Sequence, residues 1–454
     1  MKPIGEYYAE AFTSKEQFGL GMVSNWLSLI VFLWLVSLAF LIIRANPKAN
    51  ENRFMALLIT CEGFKSAFHM KNITPGGHEW WFIDQYLWNF NTTFFISAHV
   101  CSVVMYLCFP IYYRVNQLSF LYKPFFQRHA WYAIPLLTLI FMIIATDLWV
   151  YENYAWIICD KGAQPIVHQQ WGTVSPSMQE TIDSIGTCPT TGEWSIEDTP
   201  VFGYFIVGLS ALVSIAALVI MRTSMKQYKK EENHDSSNSL TSRSLYIGFL
   251  GKVIGSMIFF TTLFVIIPIL NGGNPPSFGD ILVNDLENSK TLVVILTEYA
   301  WILTGLMMSL PFAFEGMMFA HASMKDTVLG IDSKLRRTFR NSIFTGLGAI
   351  LFLTGSEIME SFLGYGIFGG VFLGASILVI RKPVISTLDR LSSKMIPSAY
   401  TEAESAYLQA YSAAGADGII TEAERRILTA TAGALNITAE KTSELERAFD
   451  SEEE

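Results

Sequence analysis

Runs of roughly 20 apolar residues, long enough to cross a ~30 Å hydrocarbon core as a helix, recur along the first 381 residues of this chain. Nine can be counted, at about 22–43, 54–70, 88–112, 131–150, 201–221, 244–270, 291–320, 341–357 and 363–380. A backbone in lipid must satisfy its own polar groups, so such runs predict transmembrane helices. Composition agrees, since 454 residues with 51% hydrophobic and 16% charged side chains are too apolar for an ordinary soluble protein. The second run, interrupted by charge, and the eighth, barely long enough, are the weakest. The first lies behind a mostly polar leader with no basic segment and no small-residue cleavage site, so it is expected to remain as an anchor.

Lysine and arginine accumulate on the untranslocated side of a membrane. They cluster after the first, third, fifth and seventh runs, for example Arg44, Lys48 and Arg53, or Lys334, Arg336, Arg337 and Arg340. The alternate connections are acidic or aromatic, as in Asp280, Asp285 and Glu287. This pattern predicts an integral membrane protein, in the plasma membrane, with its N-terminus outside and its C-terminus in the cytoplasm.

The expected fold class is all-α, a polytopic helical membrane protein. Residues 1–21 form an extracytoplasmic N-terminal segment, 22–325 a seven-transmembrane bundle, 326–340 an interfacial amphipathic helix, 341–381 a two-span helical hairpin and 386–454 a cytoplasmic acidic helical domain. In outside-to-inside order and in its long polar third inner loop, "KQYKKEENHDSSNSLTSR", the 22–325 unit resembles heptahelical receptors. The resemblance is one of topology alone and transfers no functional residue. In the hairpin, Gly366, Gly370 and Gly374 leave one helix face bare for close contact, either with the bundle or with a second copy in a homodimer.

Residues 401–454 carry 4 Lys plus Arg against 12 Asp plus Glu, nearly the whole chain's excess of −9. Within them "AAGADGIITEAERRIL" places a turn at Asp417 and Gly418, then Thr421 with Glu424 three residues on, a capping box. The stretch resembles the corresponding element of tellurite-resistance-B-like helical domains and the second half of an EF-hand. The resemblance implies an adaptor or sensing appendage with a cytoplasmic protein partner. With Glu424 at loop position twelve, positions one and three fall on Ala413 and Gly415, so two carboxylates that calcium needs are missing. No metal site is expected.

Five cysteines fit the same map. Cys61, Cys101 and Cys108 lie in apolar runs, where a thiol serves as a small hydrophobe. Cys159 and Cys188 share the outer loop from 151 to 199, and a disulfide between them is expected.

Ionisable groups inside a span cost at least ~2.5 to 3.5 kcal/mol on insertion scales and need a polar interior or an escape to the surface. At ~1.5 Å rise per residue, Glu62, Lys65, His69, Asp147 and Glu298 fall in the outer half and His99 near the middle. Together with Trp81 and Trp88 they predict an outward-opening pocket for a polar ligand. Glu62 and Lys65, three residues apart, could instead simply pair along one helix face. In the inner half Lys252 and Glu315 match in depth, and with Pro311 as a bend they predict a separable bridge, a switch between two states. Each could also reach the surface on its own.

No metalloprotease, serine-hydrolase, phosphate-loop or kinase motif is present, so an enzyme is not expected, and no cofactor. The leading expectation is a membrane sensor or receptor-like protein that binds a polar ligand outside and signals to its helical tail. A proton- or cation-coupled transporter or channel and a structural subunit of a membrane complex are the alternatives. The expected partners are the lipid bilayer, the ligand and a cytoplasmic protein, and not nucleic acid.

Overall fold

The computed structural model describes residues 20–73, 81–113, 118, 120–144, 154–171, 176–188, 191–197, 201–231, 237–270, 292–324, 335, 337–338, 340–341, 375, 381–392, 400–415 and 420–453. They are mostly helical. Helix α1 spans Leu20–Ala45, α2 Asn50–Ser66, α3 Trp81–Tyr112, α4 Pro124–Ile144 and α6 Val201–Glu231, with the short α5, Pro176–Ile185, before α6. Helix α7, Ser237–Thr261, continues through a π-helical turn, Thr262–Ile266, to Leu270. The seventh run is divided into α8, Leu292–Met307, and α9, Leu310–Met324.

Among the described residues five stretches are long and apolar enough to cross a membrane: Val23–Ala45, Phe94–Tyr112, Gly208–Gln227, Leu240–Leu270 and Tyr299–Met324. They are compatible with an integral membrane protein, and correspond to the first, third, fifth, sixth and seventh expected runs. Apart from Asn341 and Ala375, the eighth and ninth runs, with Gly366, Gly370 and Gly374, lie outside the described residues. Burial follows the pattern lipid would impose. Phe40, Leu107, Leu212 and Met257 are more than 60% exposed, whereas Glu62, Lys65, Lys252 and Glu315 are at most 1% exposed.

Helix α2 explains its own odd composition by position. At 17 residues it is short, and it buries residues on every side, including Asn52, Phe54, Leu58, Ile59, Glu62 and Lys65. It is enclosed by α1, α3 and α9. A helix walled in by protein need not be apolar all round, because its polar groups meet other polar groups instead of acyl chains. At the start of α2, Asn52 Nδ2 donates to the Ile42 carbonyl of α1 at 3.0 Å. Phe54 stacks on Tyr112 of α3 with ring centroids 4.3 Å apart.

Helices α7 and α9 pack tightly together. A Cβ at Gly255 would come within 2.1 Å of Pro311 Cγ, at Gly251 within 2.2 Å of Phe314 Cδ1, and at Gly248 within 2.9 Å of Phe319 Cε1. Three glycines on one face let the two backbones approach, as small residues do in membrane helix pairs. Pro311 falls in the first turn of α9, where a missing N–H is tolerated. The interruption just before it is secured by side chains. Ser309 Oγ donates to the Ser66 carbonyl at the end of α2, at 3.1 Å, and lies 3.0 Å from Ser28 Oγ of α1.

The all-α expectation fails between 151 and 199. Three strands, β1 Tyr154–Cys159, β2 Ile166–Trp171 and β3 Gly192–Glu197, form an antiparallel sheet in the order β2-β1-β3. Aromatic and β-branched residues in "YAWIIC" and "IVHQQW" favour pleated structure. Ile157 and Cys159, two apart on one face, are buried against Ile182, Ile185 and Cys188. Cys159 and Cys188 are joined by a disulfide, as expected.

In the tail, α10 (Glu402–Ala414), α11 (Glu422–Ala434) and α12 (Ala439–Glu453) enclose Tyr407, Leu408, Tyr411, Leu428, Ala432 and Leu445. Both α10 and α11 begin with a capping box, Thr401 with Glu404 and Thr421 with Glu424. The second is the one expected from sequence. It engages Glu424 Oε2, which accepts from Thr421 N at 2.7 Å and from Thr421 Oγ1 at 2.6 Å. Asp417 and Gly418 lie outside the described residues.

Candidate functional site

Four helices bring two acids, two bases and a phenol to one point. Glu62 and Lys65 come from α2, Tyr106 from α3, Lys252 from α7 and Glu315 from α9. Lys65 Nζ lies 2.9 Å from Glu62 Oε1. It also donates to Ser102 Oγ at 3.1 Å and to Ser210 Oγ at 3.4 Å. Lys252 Nζ lies 3.1 Å from Glu62 Oε2 and 3.0 Å from Glu315 Oε2, so it bridges both acids.

The Tyr106 hydroxyl sits between the two carboxylates. It is 2.5 Å from Glu62 Oε1 and 3.1 Å from each oxygen of Glu315. Having one proton, it donates to one acid at a time, while Lys252 Nζ donates to the phenol oxygen. Lys252 Nζ lies 4.1 Å from the centroid of the Tyr106 ring, and Lys65 Nζ lies 4.7 Å from that of Phe312, within range of cation–π attraction. With both acids and both bases ionised the formal charges cancel. Cancellation and hydrogen bonding together make such burial tolerable.

This arrangement corrects the two-tier reading of the charges. Glu62 and Lys65 were expected in an outer pocket and Lys252 with Glu315 in an inner bridge, yet they form one network. Counting depth along straight spans misplaced them, because α2 ends at Ser66 rather than near 70. Unpaired charges in a low-dielectric interior also attract one another strongly enough to select the packing that joins them. Glu62 and Lys65 do pair along the helix, but not privately, and both are fully buried instead of lining an open pocket.

The other expected residues divide. His99, on α3, is 2% exposed, and its Nδ1 lies 3.0 Å from the Phe95 carbonyl. A carbonyl only accepts, so Nδ1 carries the proton, and in the neutral ring Nε2 keeps a lone pair. His99 and Lys252 line a common cavity of about 30 Å³, with Ser210, Ser256 and Phe312. His69 lies in a 3-10 turn, Phe68–Ile73, against Gly305 of α8. Trp81 and Trp88 belong to α3 and Glu298 to α8. Asp147 is outside the described residues.

Ser102, Tyr106 and Ser210 were not anticipated. For two of them a signal existed. His99, Ser102 and Tyr106 are spaced three and four apart, which puts them on one face of α3, and Glu62 and Lys65 present a matching polar face on α2. Compared with known proteins, the chain matches no family model, no curated protein and no solved structure.

Proposed function

We propose that this chain is a membrane sensor of receptor-like organisation, in which the five-residue network of Glu62, Lys65, Tyr106, Lys252 and Glu315 is the two-state element and the acidic helical tail is the output. One observation carries the reading: Lys252 shares its charge between Glu315 and Glu62, at 3.0 and 3.1 Å, across three helices. A cation with two nearly equivalent anions can tighten on one and release the other, with little change in total charge, when a neighbouring site is occupied. Differential contact of that kind is what a ligand needs to bias a conformational equilibrium.

Seven spans, an outer N-terminus and a cytoplasmic tail complete the proposal, with the lysine and arginine distribution as their support. The tail then acts as a docking module for a cytoplasmic protein. The network's formal neutrality favours a sensor over a carrier of protons or cations, which would want uncompensated acids along a path.

The test uses the full chain in proteoliposomes, spin-labelled at Leu107 on α3 and Ile254 on α7, both of which are exposed. The sensor reading expects neutralising Lys252 by Lys252→Met to shift the interhelical distance distribution, and a proton or alkali-cation gradient to persist across the vesicles. An unchanged distance distribution would favour a static structural subunit, and dissipation of the gradient a transporter; either sinks the reading.

A further inference from the structure

The small cavity beside the network adjoins a space that reaches the surface. Three of its lining residues, Ala211, Ser256 and Phe260, also line a second, larger space of about 440 Å³ between α6 and α7. That space is a groove on the exposed side of the bundle. Its walls include Leu212 and Met257, which are 65% and 62% exposed and lie in stretches long and apolar enough to cross a membrane. Its volume falls within the ~300 to 1,000 Å³ typical of small-molecule sites.

At the inner end of the groove the chemistry changes. His99 is buried, its Nδ1 is committed to the Phe95 carbonyl, and Nε2 has no partner among the described residues. The Ser256 hydroxyl, where groove and cavity meet, also has none among them. The two supply an acceptor and a donor where the small cavity adjoins the apolar groove.

We infer that this groove and cavity form a lateral binding site for a single-chain neutral lipid bearing a hydroxyl, which enters from the bilayer and presents its O–H to His99 Nε2 while accepting from Ser256. Size limits the polar end to a group such as a hydroxyl, because a cavity of about 30 Å³ admits only about one or two water-sized groups. A phospholipid headgroup is too large. Charge excludes ionised ends. An ammonium would face Lys252, which lines the cavity, and a carboxylate would face the lone pair of His99 and leave the otherwise neutral network with a net negative charge. The site lies against Lys252, so occupancy would bear on the cation's choice of partner; that last step rests on the sensor reading above.

The probe is a long-chain primary alcohol carrying a diazirine and an alkyne, photolysed with the purified full chain in detergent. Labelling is expected on α6 and α7 near Leu212 and Met257, and unlabelled alcohol should compete for it. Ser256→Ala should weaken competition by about three- to tenfold, the loss of one hydrogen bond. The same probe capped as a methyl ether, which cannot donate, should label about tenfold less well. Equal labelling by alcohol and ether, or indifference to Ser256→Ala in a protein of unchanged melting temperature, would show ordinary bilayer lipid in an unselective groove and overturn the inference. Selective alcohol binding that leaves the α3 to α7 distance unmoved would keep the site and remove the sensor reading. A distance that responds to Lys252→Met, in a protein indifferent to the alcohol, would do the reverse.

Discussion

Removing the charge of Lys252 while preserving its length, as Lys252→Met does, should be among the most destabilising single changes available in the bundle. The structure sets the scale. Lys252 Nζ lies 3.0 Å from Glu315 and 3.1 Å from Glu62, and at an effective dielectric near 20 each contact is worth roughly 5 kcal/mol. Against this stands the desolvation of one ammonium, several kcal/mol. The remainder, about 3 to 5 kcal/mol, matches what breaking buried ion pairs costs, because two acids then share one phenol and one remaining lysine. At roughly 2 to 4 °C per kcal/mol for a large domain, the melting temperature in detergent should fall by about 6 to 20 °C. The second acid decides the case. Lys252→Met combined with Glu315→Gln restores formal neutrality, so the double variant should be more stable than Lys252→Met alone. The coupling energy should reach about 2 to 3 kcal/mol, near the upper end seen for contacting residues. Additive losses, or a Lys252→Met protein that melts with the parent, would refute the network. A simple exchange, Lys252→Glu with Glu315→Lys, should restore only part of the loss, because a carboxylate at position 252 would stand beside Glu62.

Gly255→Leu should destabilise the bundle by about 1 to 3 kcal/mol or more from overpacking, since even a Cβ there would lie 2.1 Å from Pro311 Cγ; thermal melting checks it, and an unchanged melt would mean the helices can separate. Replacing both disulfide cysteines, Cys159→Ser with Cys188→Ser, opens a loop with a sequence separation of 29 and should cost the sheet roughly 3 to 4 kcal/mol. Faster proteolysis confined to 154–197, with the helices protected, is the expected readout. In the tail, burial and the hydrogen bond to Glu446 hold the Tyr407 phenol well above its ordinary value. A raised acid contributes its stability below the unfolded-state value near pH ~10 and loses it progressively above that pH. Hydrogen exchange of α10–α12 in the full chain should therefore accelerate above about pH 10, and Tyr407→Phe should remove that alkaline component.

Five of the nine expected helix positions were legible because apolar runs of membrane-crossing length leave few alternatives, and Thr421 with Glu424 announced a helix start through a purely local hydrogen-bonding motif. Glu62, Lys65, Lys252 and Glu315 were also visible as charges that needed an explanation. Their union was not, because it depends on where α2 stops and on how closely α7 approaches α9, and both are tertiary facts. Gly248, Gly251 and Gly255 could have hinted at the second, since three bare positions on one helix face invite a close neighbour. The sheet at 154–197 was missed for a different reason. Its strands are short, six residues each, and a search tuned to long apolar windows passes over alternation on that scale.

The glycine seam between α7 and α9 also decides what in this molecule can move. With Pro311, Phe314 and Phe319 seated directly on backbone, neither helix has room to slide or roll past the other without parting from it. Lys252 and Glu315 sit on the two sides of that seam and are held together by it. On the sensor reading, rearrangement therefore falls on the opposite edge, where Lys252 and Tyr106 both reach over to Glu62.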